Sequence, residues 1–157
     1  MTTYELGNTR LEPVAATKFS PAWLTDGVVR WVRLTSSPES ERHAWLRDVG
    51  VPDNLVAQAD ADSRPVVAHE QALLVSLPVL TTDESGTRWV RLLCTANILL
   101  TIEDGAVPAI DTAVAELCAG QRPPEATGPG LLLDVLEGAA RGSAPAYLSL
   151  RRGLDAL

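Results

Sequence analysis

The sequence has 157 residues, the length of one domain, and its 46% content of hydrophobic residues is enough for a substantial core. Its formal net charge is −7 and its longest basic run is Arg151-Arg152, so we expect no nucleic-acid partner, because phosphate binding requires a concentrated basic face. No apolar run approaches the ~18–20 residues needed to cross a bilayer, and the N-terminus lacks the basic and apolar regions of a secretory signal.

The first 34 residues contain one predicted strand. Residues 1–26 show no regular pattern, and Pro13 and Pro21 argue against a long element there, so we expect this stretch to be irregular. Val28–Leu34, with the sequence VVRWVRL, is rich in β-branched and aromatic side chains, which favour a strand.

A helix is predicted next. Ser37 is placed to cap it, Pro38 suits the first helical position, and Gly50 is placed to end it after Val49. The side chains expected on its inner face are Trp45, Leu46 and Val49.

The middle of the chain is predicted to form a short helix, a loop and two strands. The helix is Asp53–Ala59, and the polar loop after it is Asp60–Ser63. Val66–His69 and Gln71–Leu80 read as strands. Because Pro78 cannot donate a ladder hydrogen bond, its end of the second strand should be an edge or a bulge.

The next unit is a hairpin followed by a helix, and we expect it to be the centre of the fold. Thr81–Thr87 is a predicted turn leading into the strand Arg88–Thr95. The strand Ile98–Glu103 is almost wholly apolar, which indicates burial on both faces. Pro108 opens a helix that Gly120 is placed to end.

The last part of the chain is predicted to form two helical segments. Leu131–Ala140 has an apolar face, and Gly142 and Pro145 are expected to interrupt it. A heptad seam follows, meaning apolar residues repeated at heptad spacing. It continues to the last residue without a helix-ending signal, which favours a truncated helix over a short finished one. Its positions are Tyr147, Leu150, Leu154 and Leu157.

Residues for catalysis are sparse. His43 is expected on a solvated helix face, and His69 with its neighbouring carboxylate would point to opposite faces of a strand. Cys94 and Cys118 fall in apolar patterns and predict two buried reduced thiols, which favours a cytoplasmic protein. The sequence contains no glycine-rich phosphate loop, nucleophile elbow or zinc-type spacing. We therefore expect an α/β domain that is not an enzyme.

Four carboxylates, Asp60, Asp62, Glu103 and Asp104, are candidate ligands of a metal ion. Asp60 and Asp62 alternate in a loop, and oxygen ligands on a loop suit a hard cation such as Mg²⁺, although a solvated loop is the simpler interpretation. A complete site would need further oxygens, for example from another subunit. Asp104 follows a strand and precedes a helix, so it is more simply a turn or capping residue.

The order of these elements resembles the N-terminal cytoplasmic domain of the CorA family of divalent-cation channels, including its ZntB-like branch. The resemblance covers about residues 23–157. It rests on the order and spacing of RWVRL within Val28–Leu34, Trp45-Leu46, Ser63–Val66, Gln71–Leu80, Asn97–Glu103, Pro108–Leu117 with Asp111, Leu131–Leu136, and Tyr147-Leu148 with Leu154.

The sequence departs from the family at four points, and one is the helix from Leu131, which reads Glu137-Gly-Ala-Ala where the family usually has a second acidic or aromatic pattern. Val66 stands where the family has a basic residue, and the pore signature Gly-Met-Asn does not occur. An acidic metal ligand of some members aligns with Ala57, which cannot ligate; Asp60 and Asp62 lie near this position without matching it. We expect either the domain of a longer protein or a stand-alone binding module that lacks the pore.

The resemblance implies a three-layer α/β/α sandwich with a mixed, largely antiparallel sheet. Residues 1–157 would be one domain on the cytoplasmic side of the membrane, with residues 145–157 as the start of a stalk helix. It further implies a homo-pentamer in the full-length protein, with Mg²⁺ or another divalent cation between subunits biasing the pore. Without stalk and pore contacts, we expect the fragment to be a monomer or weak dimer.

Overall fold

The computed structural model describes residues 1–15, 18–51, 53–59, 66–69, 72–80, 87–121 and 124–155. Strands form where apolar and β-branched residues cluster, and they are β1 Thr2–Leu6, β2 Leu11–Val14, β3 Arg30–Thr35, β4 Val66–His69, β5 Ala72–Leu80, β6 Thr87–Cys94 and β7 Ile98–Glu103. The helices are α1 Glu39–Asp48, α2 Asp53–Ala59, α3 Pro108–Cys118 and α4 Gly128–Asp155, with a 3-10 turn at Pro21–Leu24.

The strands form one mixed sheet in the order β2-β1-β3-β7-β6-β5-β4. Among the described strands, β3 and β7 are the parallel pair, with Arg33 opposite Thr101 and Thr35 opposite Glu103. Every other described pairing is antiparallel. The prediction of a mixed, largely antiparallel sheet is confirmed.

Helices cover both faces of the sheet, so the predicted three-layer α/β/α sandwich is also confirmed. Alternate side chains of a strand point to opposite faces. Trp31 packs in the cluster that contains α3 and α4, whereas Val32 packs in the cluster that contains α1 and α2. Strand β7 lies at the middle of the order, and all six of its residues are buried.

Several predicted boundaries agree with the structure. Strand β7 and helix α2 have the predicted bounds, and α3 begins at Pro108. Gly50 and Gly120 follow α1 and α3 with positive φ angles of 81° and 65°, which glycine adopts at little cost. Strand β4 pairs only with the Ala72–Val75 part of β5, so Pro78 lies beyond that pairing, as expected for an edge.

The prediction that residues 1–26 are irregular is wrong. Strands β1 and β2 form an antiparallel hairpin there, and a 3-10 turn follows at Pro21–Leu24. Pro13 is tolerated because β2 is the last strand of the described sheet, where one side of the backbone needs no partner. Leu11 is 1% exposed, so this hairpin contributes to the core.

The predicted break at Gly142 and Pro145 is also wrong, because α4 continues from Gly128 to Asp155. Glycine weakens a helix, but Gly142 lies against α3, and close packing there outweighs its low propensity. The seam positions from Tyr147 to Leu154 fall on this helix, but their side-chain packing lies outside the described part, as does Leu157.

Helix α1 begins at Glu39 with Pro38 as the residue before it, so Ser37 is not its cap. The turn predicted at 81–87 falls mainly on 81–86, outside the described residues. Within the described part of the chain, none of the helices combines the length and the apolar character that a membrane span requires.

Candidate functional site

Charged side chains gather where β3 and β7 end. Because these strands are parallel, their carboxyl ends meet at one edge of the sheet, the position at which open α/β sheets often place functional groups. Helix α1 follows β3 on one face, and α3 follows β7 on the other. We call this group the charged edge; its members are Arg33, Arg42, Arg88, Arg91, Glu103, Asp104 and Asp111.

Glu103 is the buried centre of the charged edge. Its side chain is fully buried and accepts hydrogen bonds from Arg33 Nε at 2.7 Å and from Arg33 Nη2 at 2.5 Å. Thr101 Oγ1 donates a third bond to Glu103 at 3.1 Å, and Trp31 Nε1 donates to Thr101 at 3.2 Å. The Glu103 side chain is therefore buried and surrounded by hydrogen-bond donors, as a buried polar group requires.

Arg33 also reaches the first turn of α3. Its Nη2 donates to Asp111 Oδ1 at 2.8 Å, and its side chain is 10% exposed. Burial alone would lower the pKa of the Arg33 guanidinium, but the hydrogen bonds and charges of Glu103 and Asp111 outweigh it and raise that pKa. Arg33 therefore remains a permanent cation shared by two carboxylates.

Asp104 extends the charged edge to the opposite face. Consecutive residues point to opposite faces, so Asp104 meets α1, where Arg42 Nη1 lies 2.9 Å from its Oδ1. Arg91 of β6 lies 3.6 Å from the other carboxylate oxygen. Arg88 donates to the backbone oxygens of Asp104 and Ala106, at 3.4 and 3.3 Å, and so holds the turn between β7 and α3.

A second ionic contact fixes the opposite end of β3. Arg30 lies 2.8 Å from Glu5 and 2.8 Å from Asp26, and its guanidinium is 4.8 Å from the ring centre of Trp23. The hydrogen bond from Arg30, followed by the one from the Val28 amide, lowers the pKa of Asp26. This contact ties the 3-10 turn to the first strands.

The charged edge is built to hold helices in place. Glu103, Asp104 and Asp111 each accept a hydrogen bond from an arginine, so each carboxylate already has a cationic partner within the protein. Within the described ranges, no group of three His, Cys, Asp or Glu side chains comes together as a metal site. The arrangement fixes α1 and α3 against the sheet.

The residues predicted as metal ligands, Asp60 and Asp62, lie outside the described residues. His43 is half-buried, with Nε2 3.9 Å from Glu39, so it is less exposed than expected. His69 belongs to β4, but its side chain is not among those described.

The two cysteines are free thiols with different exposure. Cys94 is buried, as predicted, and burial raises its pKa to about 11. Cys118 is half-buried, so the prediction of a second fully buried thiol is wrong. The reason is its place at the last residue of α3, at the rim of the packed face.

The buried ion pairs were not predicted from the sequence. Arg30, Arg33 and Arg91 are each at most 8% exposed when the whole residue is counted, although they stand in strands where arginine normally marks a solvated face. A signal was present: two arginines lie three residues apart in each of β3 and β6, and Glu103 ends an apolar strand. Arginines within buried strands require carboxylate partners nearby.

The fold places the chain in the class of three-layer α/β/α domains, with charged residues that fix helices on a mixed sheet. Residues 26–157 match the family described as CorA-like Mg²⁺ transporter protein. This match covers most of the chain, so the chain belongs to the CorA-like Mg²⁺ transporter family, a family of transporters and not of enzymes. No curated protein matches the chain.

Solved structures share the fold. The full-length CmaX protein has a TM-score of 0.72 at 18% identity, over 99% of this chain and 50% of that one. The ZntB cytoplasmic domain from Vibrio parahaemolyticus RIMD 2210633 has 0.68 at 20%, over 96% and 61%. The CorA magnesium transporter from Methanocaldococcus jannaschii has 0.70 at 18%, over 99% and 49%. The chain spans about half to three-fifths of these structures.

Proposed function

We propose that residues 1–157 form the regulatory domain, on the cytoplasmic side of the membrane, of a CorA-like transporter of Mg²⁺ or another divalent cation. The proposal rests on the family match over residues 26–157, and the fold shared with the magnesium transporter from M. jannaschii supports it. The domain has no enzymatic role in this proposal, and ion conduction belongs to a part of the protein beyond these residues.

The proposed mechanism is linkage between cation binding and subunit packing. A cation that binds more tightly to one arrangement of neighbouring domains shifts the whole assembly toward that arrangement. In the full-length protein the assembly is a homo-pentamer, and the favoured arrangement closes the pore. The closing free energy then comes from the difference in cation affinity between the two arrangements.

The proposed cation ligands are Asp60 and Asp62. The carboxylates of the charged edge accept hydrogen bonds from arginine, so they are poor candidates for binding Mg²⁺. Two carboxylates in the loop predicted at Asp60–Ser63 would leave coordination positions for water or for a neighbouring subunit, as Mg²⁺ prefers.

Thermal unfolding in increasing Mg²⁺ tests these ligands in the chain itself. A bound cation raises the free energy of unfolding by about 2.7 kcal/mol when its concentration is about 100 times Kd. We expect the increase to disappear in the double variant Asp60→Asn/Asp62→Asn. It should remain in Glu39→Gln/Glu41→Gln, which removes the same number of charges from α1. An equal response in both variants would overturn the assignment.

For residues 1–157 alone we propose a monomer or a weak dimer. Sedimentation velocity over a range of concentrations measures this directly. A stable pentamer would contradict the proposal, since it would show that the domain carries the contacts sufficient for assembly.

Transport itself is tested in the whole protein that carries this domain. Reconstituted in liposomes containing a Mg²⁺-sensitive dye, it should admit Mg²⁺ down a gradient, and liposomes without protein provide the control. Absence of flux for Mg²⁺, Co²⁺ and Ni²⁺ alike would favour the alternative, a binding module that has lost the pore.

A further inference from the structure

The first turn of α3 lies between the buried ions and α4. On one side, Asp111 contacts Arg33, whose guanidinium Glu103 already holds with two hydrogen bonds. Asp111 therefore docks onto a cation that has little freedom to move. This contact fixes the start of α3 relative to β3 and β7.

On the other side, the same turn is pressed against α4. A Cβ added to Gly142 would lie 2.7 Å from Ala109 Cα, and one added to Gly138 would lie 2.6 Å from Ala113 Cβ. Real Cβ atoms essentially never approach this closely. The two helices are therefore as close as glycine permits, and α4 cannot stay in place if α3 moves toward it.

A third contact limits sliding between the helices. Arg141 Nη2, beside Gly142 on α4, lies 2.7 Å from Oε2 of Glu116, which is one helical turn after Ala113 on α3. The pairs Ala109 with Gly142 and Ala113 with Gly138 show that the helices run antiparallel. Helix α4 consequently passes the start of α3 at the charged edge and continues to Asp155.

We propose that the first turn of α3, Pro108–Asp111, couples the buried ion pair Arg33–Glu103 to the direction of α4. Loss of the Asp111 contact frees this turn, and the close helix contact passes the change to α4. The stretch of α4 beyond Gly142 has 13 residues and extends about 20 Å at 1.5 Å per residue. A small tilt of α4 at Gly142 therefore produces a larger displacement at its end. The proposal concerns the domain alone and does not depend on transport.

Hydrogen–deuterium exchange of residues 1–157 tests the coupling. In Asp111→Asn we expect exchange to become about 2- to 30-fold faster in peptides covering α3 and residues 138–150 of α4, the range found for residues that modulate coupling. Peptides from β6 and β7 should be unchanged. The control is Asp53→Asn, which removes an exposed carboxylate paired with Arg47 on the other face of the sheet. Faster exchange confined to α3, or spread over the whole chain, would overturn the proposal.

A double-mutant cycle separates coupling from simple loss of stability. Effects of independent sites on the unfolding constant multiply to within about twofold. We expect the combined variant Asp111→Asn/Gly142→Ala to deviate from that product by more than twofold, because both changes act on one turn. Agreement with the product within twofold would show that the ion pair and the helix contact are independent, which contradicts the coupling.

Discussion

Arg33 and Glu103 are 70 residues apart in sequence, yet two hydrogen bonds join their side chains in the interior of the domain. The parallel pairing of β3 and β7 brings them together on the face that carries α3. Trp31 and Thr101 complete the donors around the carboxylate. The pair therefore depends on the strand order. If β3 had a different neighbour, a buried charge would be left without its partner.

Replacing Arg33 with Met should be among the most damaging single changes. It leaves the fully buried Glu103 carboxylate without its cation, and breaking a buried ion pair typically costs about 3–5 kcal/mol of unfolding free energy. Denaturant unfolding monitored by circular dichroism measures the loss.

The matched control is Arg47→Met, because Arg47 and Asp53 form an exposed pair whose loss should cost less than about 1 kcal/mol. The double variant Arg33→Met/Glu103→Leu should be more stable than Arg33→Met, since it removes the stranded charge. Equal losses for Arg33→Met and Arg47→Met would refute this account of the buried pair.

Replacing Gly138 with Ala should destabilise the domain, although alanine is the better helix former. The gain in propensity is about 1 kcal/mol, whereas the new methyl would lie 2.6 Å from Ala113 Cβ, and overpacking costs about 1–3 kcal/mol. Thermal unfolding gives the sign of the change.

Two further variants test the cause of the Gly138→Ala effect. Ala113→Gly in the Gly138→Ala background removes the facing methyl and should recover part of the loss. Ala140→Gly, at an exposed position of α4, reports propensity without the helix contact. If Gly138→Ala stabilises the domain, the close approach of α3 and α4 is not a constraint.

The Asp26 contact should make stability depend on acid pH. The pKa of Asp26 is lowered in the folded state, chiefly by the hydrogen bond from Arg30, so folding favours the ionised carboxylate. This contribution is present above the ordinary value of 3.8 and is lost as pH falls through the lowered folded pKa. Asp26→Asn should therefore destabilise the domain at about pH 6 and have little effect at about pH 2. Urea unfolding of both proteins at the two pH values measures this, and an equal difference at both would contradict it.

The two thiols should react at different rates. Cys94 is 3% exposed with its pKa raised to about 11, and thiolate is the reactive form. Cys118 is half-buried, so it should react with a thiol reagent first. In Cys118→Ser the remaining thiol should react only after denaturant is added. Rapid reaction of that variant under native conditions would show that Cys94 is accessible.

The sequence predicts the central unit well because local patterns and burial agree there. Ile98–Glu103 is mostly apolar and buried throughout, and a strand with helices on both sides of the sheet buries both its faces. Pro108 and Gly120 mark the ends of α3 through backbone preferences that need no tertiary information.

The errors occur where tertiary contacts override local preference. Pro13 disfavours a strand, but an edge position removes the cost. Gly142 disfavours a helix, but contact with Ala109 requires its missing side chain. The partners of Arg33 could not be assigned from the sequence because they depend on β3 pairing with β7, and two helices and three strands lie between these strands in the sequence.

In the proposed function, this domain makes a divalent-cation transporter respond to the ion it carries. Recording Mg²⁺ flux through the whole protein in liposomes, while Mg²⁺ is varied on the side that the domain faces, tests this most directly. We predict that flux falls as Mg²⁺ on that side rises, and that Asp60→Asn/Asp62→Asn shifts the inhibition to higher concentration. Flux that is indifferent to Mg²⁺ on that side would contradict the claim.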